Sequence, residues 1–247
     1  MGGDGGAAGA GAASGGRPVV LVVQTGSTHP AVVAARGDYD AWFVAVLEGL
    51  GCTARVVRAH RGEAWPASAA GLDGVLLTGS PHSVRDEAPW MAALGAWALG
   101  AAEAGVPVLA VCFGHQLVGE ALGGRVEPNP AGGEYGTIAV GLTPEGRADA
   151  LFAGLPAVVE MQSTHRDALV RAPAGVVCLG GTDNTPLQAF AWGPNLRAVQ
   201  FHPEMDDAAL AMLLAARGIP GETRPSAHGR ALLSNWVRAW VRRPESR

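Results

Sequence analysis

Beyond the first sixteen residues, short runs of β-branched and aliphatic residues alternate with alanine-rich stretches whose apolar positions recur at helical spacing. Residues 19–23 read as a buried strand, and residues 39–50 as a helix with Trp42, Phe43, Val46 and Leu50 on one face. Residues 53–58 and 74–78 read as the next two strands, and residues 89–103 as a helix. A fourth strand is expected over 106–111, and a helix over 114–122 opens directly from it. Continuous apolar runs alternating with helices predict an α/β fold, with an open, mostly parallel sheet covered by helices on both faces.

After Gly123 the pattern changes to short segments at 137–142, 158–161, 176–179, 187–192 and 197–201, separated by turns. They predict a small antiparallel excursion that returns to the main sheet. Helices over 206–217 and 226–241 follow, the second carrying Leu232, Leu233, Trp236, Val237, Trp240 and Val241 at packing spacing. Neither an internal repeat nor a membrane-spanning run is visible.

Composition narrows the chemistry. Eight of the 36 glycines fall within residues 1–16, mixed with alanine, and such a segment has little to bury against the entropy of ordering. A disordered tail over 1–16 and one domain over 17–247 are expected. All 18 basic side chains are arginines, so Schiff-base, pyridoxal-phosphate and Walker-type lysines are excluded. A net charge of −4 offers no broad footprint for nucleic acid or an anionic membrane. Arg17 and Pro18 precede only a five-residue apolar run, too short for a secretory signal, which predicts a cytoplasmic protein. Cys52, Cys112 and Cys178 are far apart and lack zinc-ligand spacing, so no metal or cofactor is expected.

One cysteine stands apart. In Val106-Pro-Val-Leu-Ala-Val-Cys112-Phe113-Gly114-His115-Gln116 a buried strand ends at Cys112 and a helix opens at once, with Gly114 permitting a sharp turn. This is the elbow arrangement, which lifts a nucleophile above the carboxyl end of a sheet and aims the next backbone N–H at the reacting carbonyl oxygen. A helix N-terminus also favours a thiolate. A buried structural cysteine is the competing reading, and it is the default for Cys52 and Cys178. Downstream, another apolar strand ends in His202-Pro203-Glu204. A thiol nucleophile needs a proton shuttle, and a carboxylate two residues on can orient that shuttle through its other ring nitrogen.

Together, Cys112 to Gln116, Phe201 to Glu204 and the glycine-containing segment Thr78-Gly79-Ser80-Pro81 resemble the class I (triad) glutamine amidotransferases. The resemblance is nearest to the amidotransferase domain of GMP synthase and its stand-alone relatives. Gly133-Glu134-Tyr135-Gly136 falls where this family has a similar loop. The resemblance implies hydrolysis of the glutamine side-chain amide, or of a γ-glutamyl amide, through a γ-glutamyl thioester. Cys112 would be the nucleophile, His202 the proton shuttle and Glu204 its orienting group. Backbone N–H groups of Ser80 and Phe113, beside Gly79, would hold the oxyanion. Gln116, Tyr135, Thr164, His165 and Asp167 would contact substrate, with His82, His115 and Glu134 as further lining candidates.

Three positions depart from the family pattern: Ala110 and Ser80 replace usual glycines, and Arg166 replaces the glycine of a Ser-His-Gly-Asp loop. The ATP-using loop of a complete GMP synthase is absent, so ammonia is expected to serve an unidentified acceptor, with a separate synthetase subunit as candidate partner. Two alternatives remain: a non-catalytic binding module on the same fold, and a PfpI-type cysteine-elbow protein.

Overall fold

The computed structural model describes residues 16–242. Apart from Gly16, the expected tail lies outside the described residues. Strand β1 (Val19–Gln24) leads through helices α1 (Pro30–Arg36) and α2 (Tyr39–Gly49) to β2 (Thr53–Arg58), β3 (Gly74–Leu77), α3 (Pro89–Glu103), β4 (Val108–Val111) and α4 (Phe113–Ala121). The second half is strand-rich: β5 (Arg125–Pro128), β6 (Glu134–Leu142), helix α5 (Pro144–Ala148), β7 (Val158–His165), β8 (Asp167–Arg171), β9 (Val177–Gly181), β10 (Ala189–Trp192) and β11 (Leu196–Val199). Helix α6 (Asp207–Arg217) follows, then α7 (His228–Trp236), which runs on into a π-helical turn over Val237–Val241.

Nine strands form one open sheet in the order β2-β1-β3-β4-β11-β10-β9-β6-β7, and β5 pairs with β8 in a separate ribbon. The strands from β2 to β11 are parallel, and every junction from β11 to β7 is antiparallel. The α/β expectation therefore holds, but the antiparallel part supplies four strands of the sheet. β4 and β11 are neighbours, with Ala198 opposite Ala110 and Val199 opposite Val111. This pairing brings the ends of two strands far apart in sequence to the same rim, where open α/β sheets place their sites.

The core explains the continuous apolar runs. Val20 and Val22 pack with Phe43, Leu47, Leu232 and Trp236 on one side of the sheet, while Leu21 and Val23 pack with Leu94, Ala98, Phe113 and Val118 on the other. Alternate side chains of a strand face opposite ways, so a strand buried on both sides has no polar positions to show. Each fully buried valine or leucine contributes roughly 1.5–3 kcal/mol. On α2, Leu47 rather than Leu50 completes the fully buried face.

Several elements differ from expectation. β4 starts at Val108 because the Val106 N–H closes α3 on the Ala101 carbonyl and Pro107 has no N–H to offer. Helix α1 has only Val32 fully buried and so carries almost no apolar stripe. The β5–β8 ribbon is charged and partly exposed, which hides its strand pattern. The Gly133–Gly136 motif, expected as a loop, instead opens β6 at Glu134 and pairs with the end of β7.

Gly114 is the tightest point between α4 and β3: a Cβ there would lie 2.8 Å from Leu77 Cβ and 3.0 Å from its carbonyl oxygen. Gly114→Ala should lower stability by about 1–3 kcal/mol in thermal or urea denaturation. Gly100→Ala, in α3 with nothing within 4 Å, should instead stabilise by roughly 0.5–1 kcal/mol. Equal effects of the two substitutions would contradict this packing account.

Candidate active site

Cys112 occupies the junction of β4 and α4 with φ 52° and ψ −100°. Among the described non-glycine residues only it and Glu87 have positive φ. Such a backbone costs about 1–3 kcal/mol and persists only where neighbours enforce it. Here the Cys112 N–H donates to the Val199 carbonyl at 2.8 Å, and the Gly114 N–H donates to the Thr78 carbonyl at 3.3 Å. Helix α4 has no side-chain cap, whereas α1, α2, α5 and α6 do. The Phe113 N–H, at the first helical position, has no acceptor within the helix. An uncapped N-terminus beside a thiol is suited to an anionic oxygen.

His202 comes to Cys112 from the segment after β11. Its Nδ1 lies 2.6 Å from Glu204 Oε1, and both side chains are almost wholly buried. Among the described residues Glu204 Oε2 has no hydrogen-bond partner, so the imidazole carries the whole pairing. Burial alone would lower the His202 pKa, but the charges of Glu204 and Cys112, with hydrogen bonds to both, hold it well above the ordinary value. Tyr39 of α2 stacks on the imidazole, with ring centroids 5.8 Å apart and planes 15° apart. Gly79 also lies against this group: a Cβ there would be 2.5 Å from His202 Cε1 and 3.5 Å from Cys112 Cβ. Glycine at this position is therefore a packing requirement of the Cys–His pair.

The segment after β3 is anchored by two threonines that sequence reasoning did not single out. Thr25 Oγ1 lies 3.0 Å from the Thr78 carbonyl and 3.1 Å from the Gly79 carbonyl, and Thr78 Oγ1 donates to the Gly79 carbonyl at 2.9 Å. With that carbonyl held inward, the trans 79–80 peptide directs the Ser80 N–H the opposite way. Ser80 does not require a glycine conformation, since its φ is not positive. Its hydroxyl donates to the Thr25 carbonyl at 2.9 Å. The methyl of Ala110 is likewise accommodated, fully buried in the cluster with Leu77, Phe113, Leu117 and Ala198 on one face of the sheet.

The substrate-side candidates fall into two groups. Gln116, His165 and Asp167 meet at one atom, the Asp167 carbonyl oxygen, which accepts from Gln116 Nε2 at 2.8 Å and contacts His165 Nδ1 at 3.0 Å. The Asp167 carboxylate accepts from Ser83 Oγ at 2.6 Å and from Arg166 Nε at 2.9 Å. Burial opposes its ionisation, but these bonds and the Arg166 charge hold its pKa below the ordinary carboxylate value. Arg166 thus occupies, from the loop itself, the carboxylate expected to meet a ligand. Tyr135 and Thr164 face each other across β6 and β7, and Thr164 Oγ1 is contacted by Arg217 rather than by Cys112, His202 or Glu204.

His115 is fully buried against Phe190, and burial, reinforced by the charge of His165, pushes its pKa down to about 3. It is a neutral wall residue and no proton shuttle. His82 is exposed, 3.8 Å from Asp86. Among the described residues no group of three or more His, Cys, Asp or Glu side chains is arranged to hold a metal ion.

Glu134 braces this wall. It accepts from Thr182 Oγ1 at 2.7 Å and from Gln188 Nε2 at 2.5 Å, and lies 3.1 Å from His165 Nε2. Burial opposes its charge, but the bonds to His165, Thr182 and Thr185 depress its pKa below 4.5. A depressed carboxyl pKa contributes stability that is complete above the unfolded value and lost as pH falls through the folded value. Glu134→Gln should therefore lower stability by about 1–3 kcal/mol at pH 7. It should also flatten the fall in stability below pH 4.5. Denaturation curves across that range would test both effects.

A family model described as glutamine amidotransferase class-I matches residues 32–213, a span that includes Cys112, His202 and Glu204. The glutamine-hydrolysing GMP synthase of Aeropyrum pernix is 31% identical over 228 residues, covering 89% of this chain and 36% of that protein. That of Leifsonia xyli subsp. xyli is 36% identical over 169 residues, covering 66% of this chain and 28% of that protein. The chain thus spans about a third of the length of these relatives. A glutamine amido transferase structure from Methylobacillus flagellatus shares the fold with TM-score 0.72 and 20% identity, over 94% of this chain and 98% of that one. One from Thermotoga maritima does so with TM-score 0.73 and 16% identity, over 92% and 99%. No helix among the described residues is long and apolar enough to cross a membrane. The chain belongs to the class-I glutamine amidotransferase family.

Proposed function

We propose that this domain hydrolyses the side-chain amide of glutamine, or a related γ-glutamyl amide, through a Cys112–His202–Glu204 triad. The observation that carries the reading is the convergence of the strained Cys112 elbow with a His202 imidazole held 2.6 Å from Glu204. The Cys112 proton passes to His202 as the sulfur attacks the amide carbon. The Ser80 and Phe113 N–H groups receive the developing oxyanion, a role in which one donor typically contributes about 2.7–4 kcal/mol. His202 then protonates the departing nitrogen, the C–N bond breaks, and ammonia or an amine leaves a γ-glutamyl thioester on Cys112. Water, deprotonated by His202, attacks the thioester, releasing the γ-carboxylate and restoring the thiol.

Gln116 has its amide nitrogen committed to the Asp167 carbonyl and to Gln200, so its contact to substrate runs through Oε1. Tyr135 and Thr164 supply the remaining polar wall, while His165 and Asp167 shape it from behind. The ammonia serves a synthetase partner, by analogy with the GMP synthases that the chain resembles. Three free cysteines fit a reducing, cytoplasmic setting.

Purified protein should release glutamate and ammonia from glutamine or from a panel of γ-glutamyl amides. Cys112→Ala should abolish turnover, whereas Cys52→Ala and Cys178→Ala should retain it; equal activity in all three would refute the triad. Glu204→Gln keeps the shape but removes the charge that raises the His202 pKa. It should reduce kcat on the order of 10²- to 10⁴-fold with little change in KM. The acid limb of its rate profile, set by His202 as the base, should move to lower pH, and an unmoved limb would remove Glu204 from the mechanism.

A further inference from the structure

Gln200 is fully buried two residues before His202, and its Nε2 lies 3.7 Å from Cys112 Sγ. Side-chain amides can be turned end for end, so the orientation needs an independent reason. The surrounding bonds supply it. Gln116 Nε2 sits 2.8 Å from the Asp167 carbonyl oxygen, a group that only accepts, so the nitrogen of Gln116 must face that carbonyl. The same nitrogen is 3.1 Å from the Gln200 amide, which must therefore present its oxygen to Gln116. The Gln200 NH₂ is left pointing at the sulfur. The Gln200 backbone is fixed as well, its N–H donating to the Gln188 carbonyl at 2.8 Å.

We propose that Gln200 is a positioning residue for the nucleophile, its amide N–H directed at Cys112 Sγ and favouring the anionic sulfur over the thiol. A hydrogen bond donated to a charged acceptor strengthens when the charge appears, and this donor is aligned before the reaction begins. Gln200 directly follows β11 and precedes His202 by two residues, so the amide donor and the imidazole reach Cys112 from the same segment. The chain from Gln116 through the Asp167 carbonyl to His165 and Glu134 ties this donor to the wall on which substrate would rest. The titratable groups around Cys112 are His202, backed by Glu204, and Tyr39 from α2. His115 lies against Gln200 from α4 and is neutral across the working range.

The proposal rests on Cys112 being the nucleophile, and its test does not depend on turnover. The full chain is treated with iodoacetamide between pH 5 and 10, and alkylation of the Cys112 peptide is followed by mass spectrometry. Gln200→Met preserves length and burial but removes the donor. It should slow Cys112 alkylation about tenfold at pH 7, displace the curve to higher pH, and reach the parent plateau at high pH. Alkylation of Cys52 and Cys178 should be unchanged. Gln200→Leu provides the second reading should the methionine variant fold poorly, with the same displacement expected. A curve superimposable on the parent in a folded variant overturns the proposal, as does a lowered plateau without displacement, the mark of a packing role alone. If the parent fails to hydrolyse glutamine while the displacement is seen, the positioning role stands and the glutaminase reading falls.

Discussion

Cys112 holds a backbone conformation that its own side chain disfavours, and much of the surrounding architecture can be understood as what enforces it. The strand behind it is clamped between β3 and β11, its N–H is bonded to the Val199 carbonyl, and the helix ahead is pressed onto Leu77 through Gly114. A strain of about 1–3 kcal/mol is small against a core buried on both faces of the sheet. The return is an uncapped helix N-terminus directly beside a thiol, without a side chain to compete for its N–H groups.

The same rim shows how neighbours decide the state of a buried histidine. His202 and His115 are both fully buried, and burial alone disfavours the charged form of each. His202 has a carboxylate at 2.6 Å and the thiol beside it, so its pKa rises. His115 faces Phe190 and has no carboxylate partner, so its pKa falls to about 3. One imidazole favours its proton, and the other stays neutral. The contrast illustrates why a histidine count says little about chemistry until partners are known.

The antiparallel half of the sheet contributes a brace more than a set of free ligands. Gln116, His165 and Asp167 converge on one backbone carbonyl, and Glu134 ties that group to Thr182 and Gln188. Arg166 adds a charge to the Asp167 carboxylate from the neighbouring position in the chain. That carboxylate is therefore already paired within the protein, with Ser83 and Arg166.

Local pattern was enough for the parallel half of the sheet, because strands buried on both faces must be continuously apolar and helices beside them must carry a stripe. It was enough as well for the elbow at Cys112 and the His202–Glu204 pair, each written within five consecutive residues. The charged β5–β8 ribbon and the seven-residue α1 were not legible, since neither buries enough apolar surface to leave a period. Gln200 carried one faint signal, a spacing of two from His202 that mirrors Glu204, and Thr78 stood in the glycine-containing segment without its anchoring role showing, whereas Tyr39 and Thr25 carried none. Their roles arise from contacts across more than fifty residues for the threonines and more than one hundred and sixty for Tyr39 on His202. Only the pairing of β4 with β11 brings the cysteine and histidine to one rim, and that pairing is a property of the packed sheet, because neither strand encodes its neighbour.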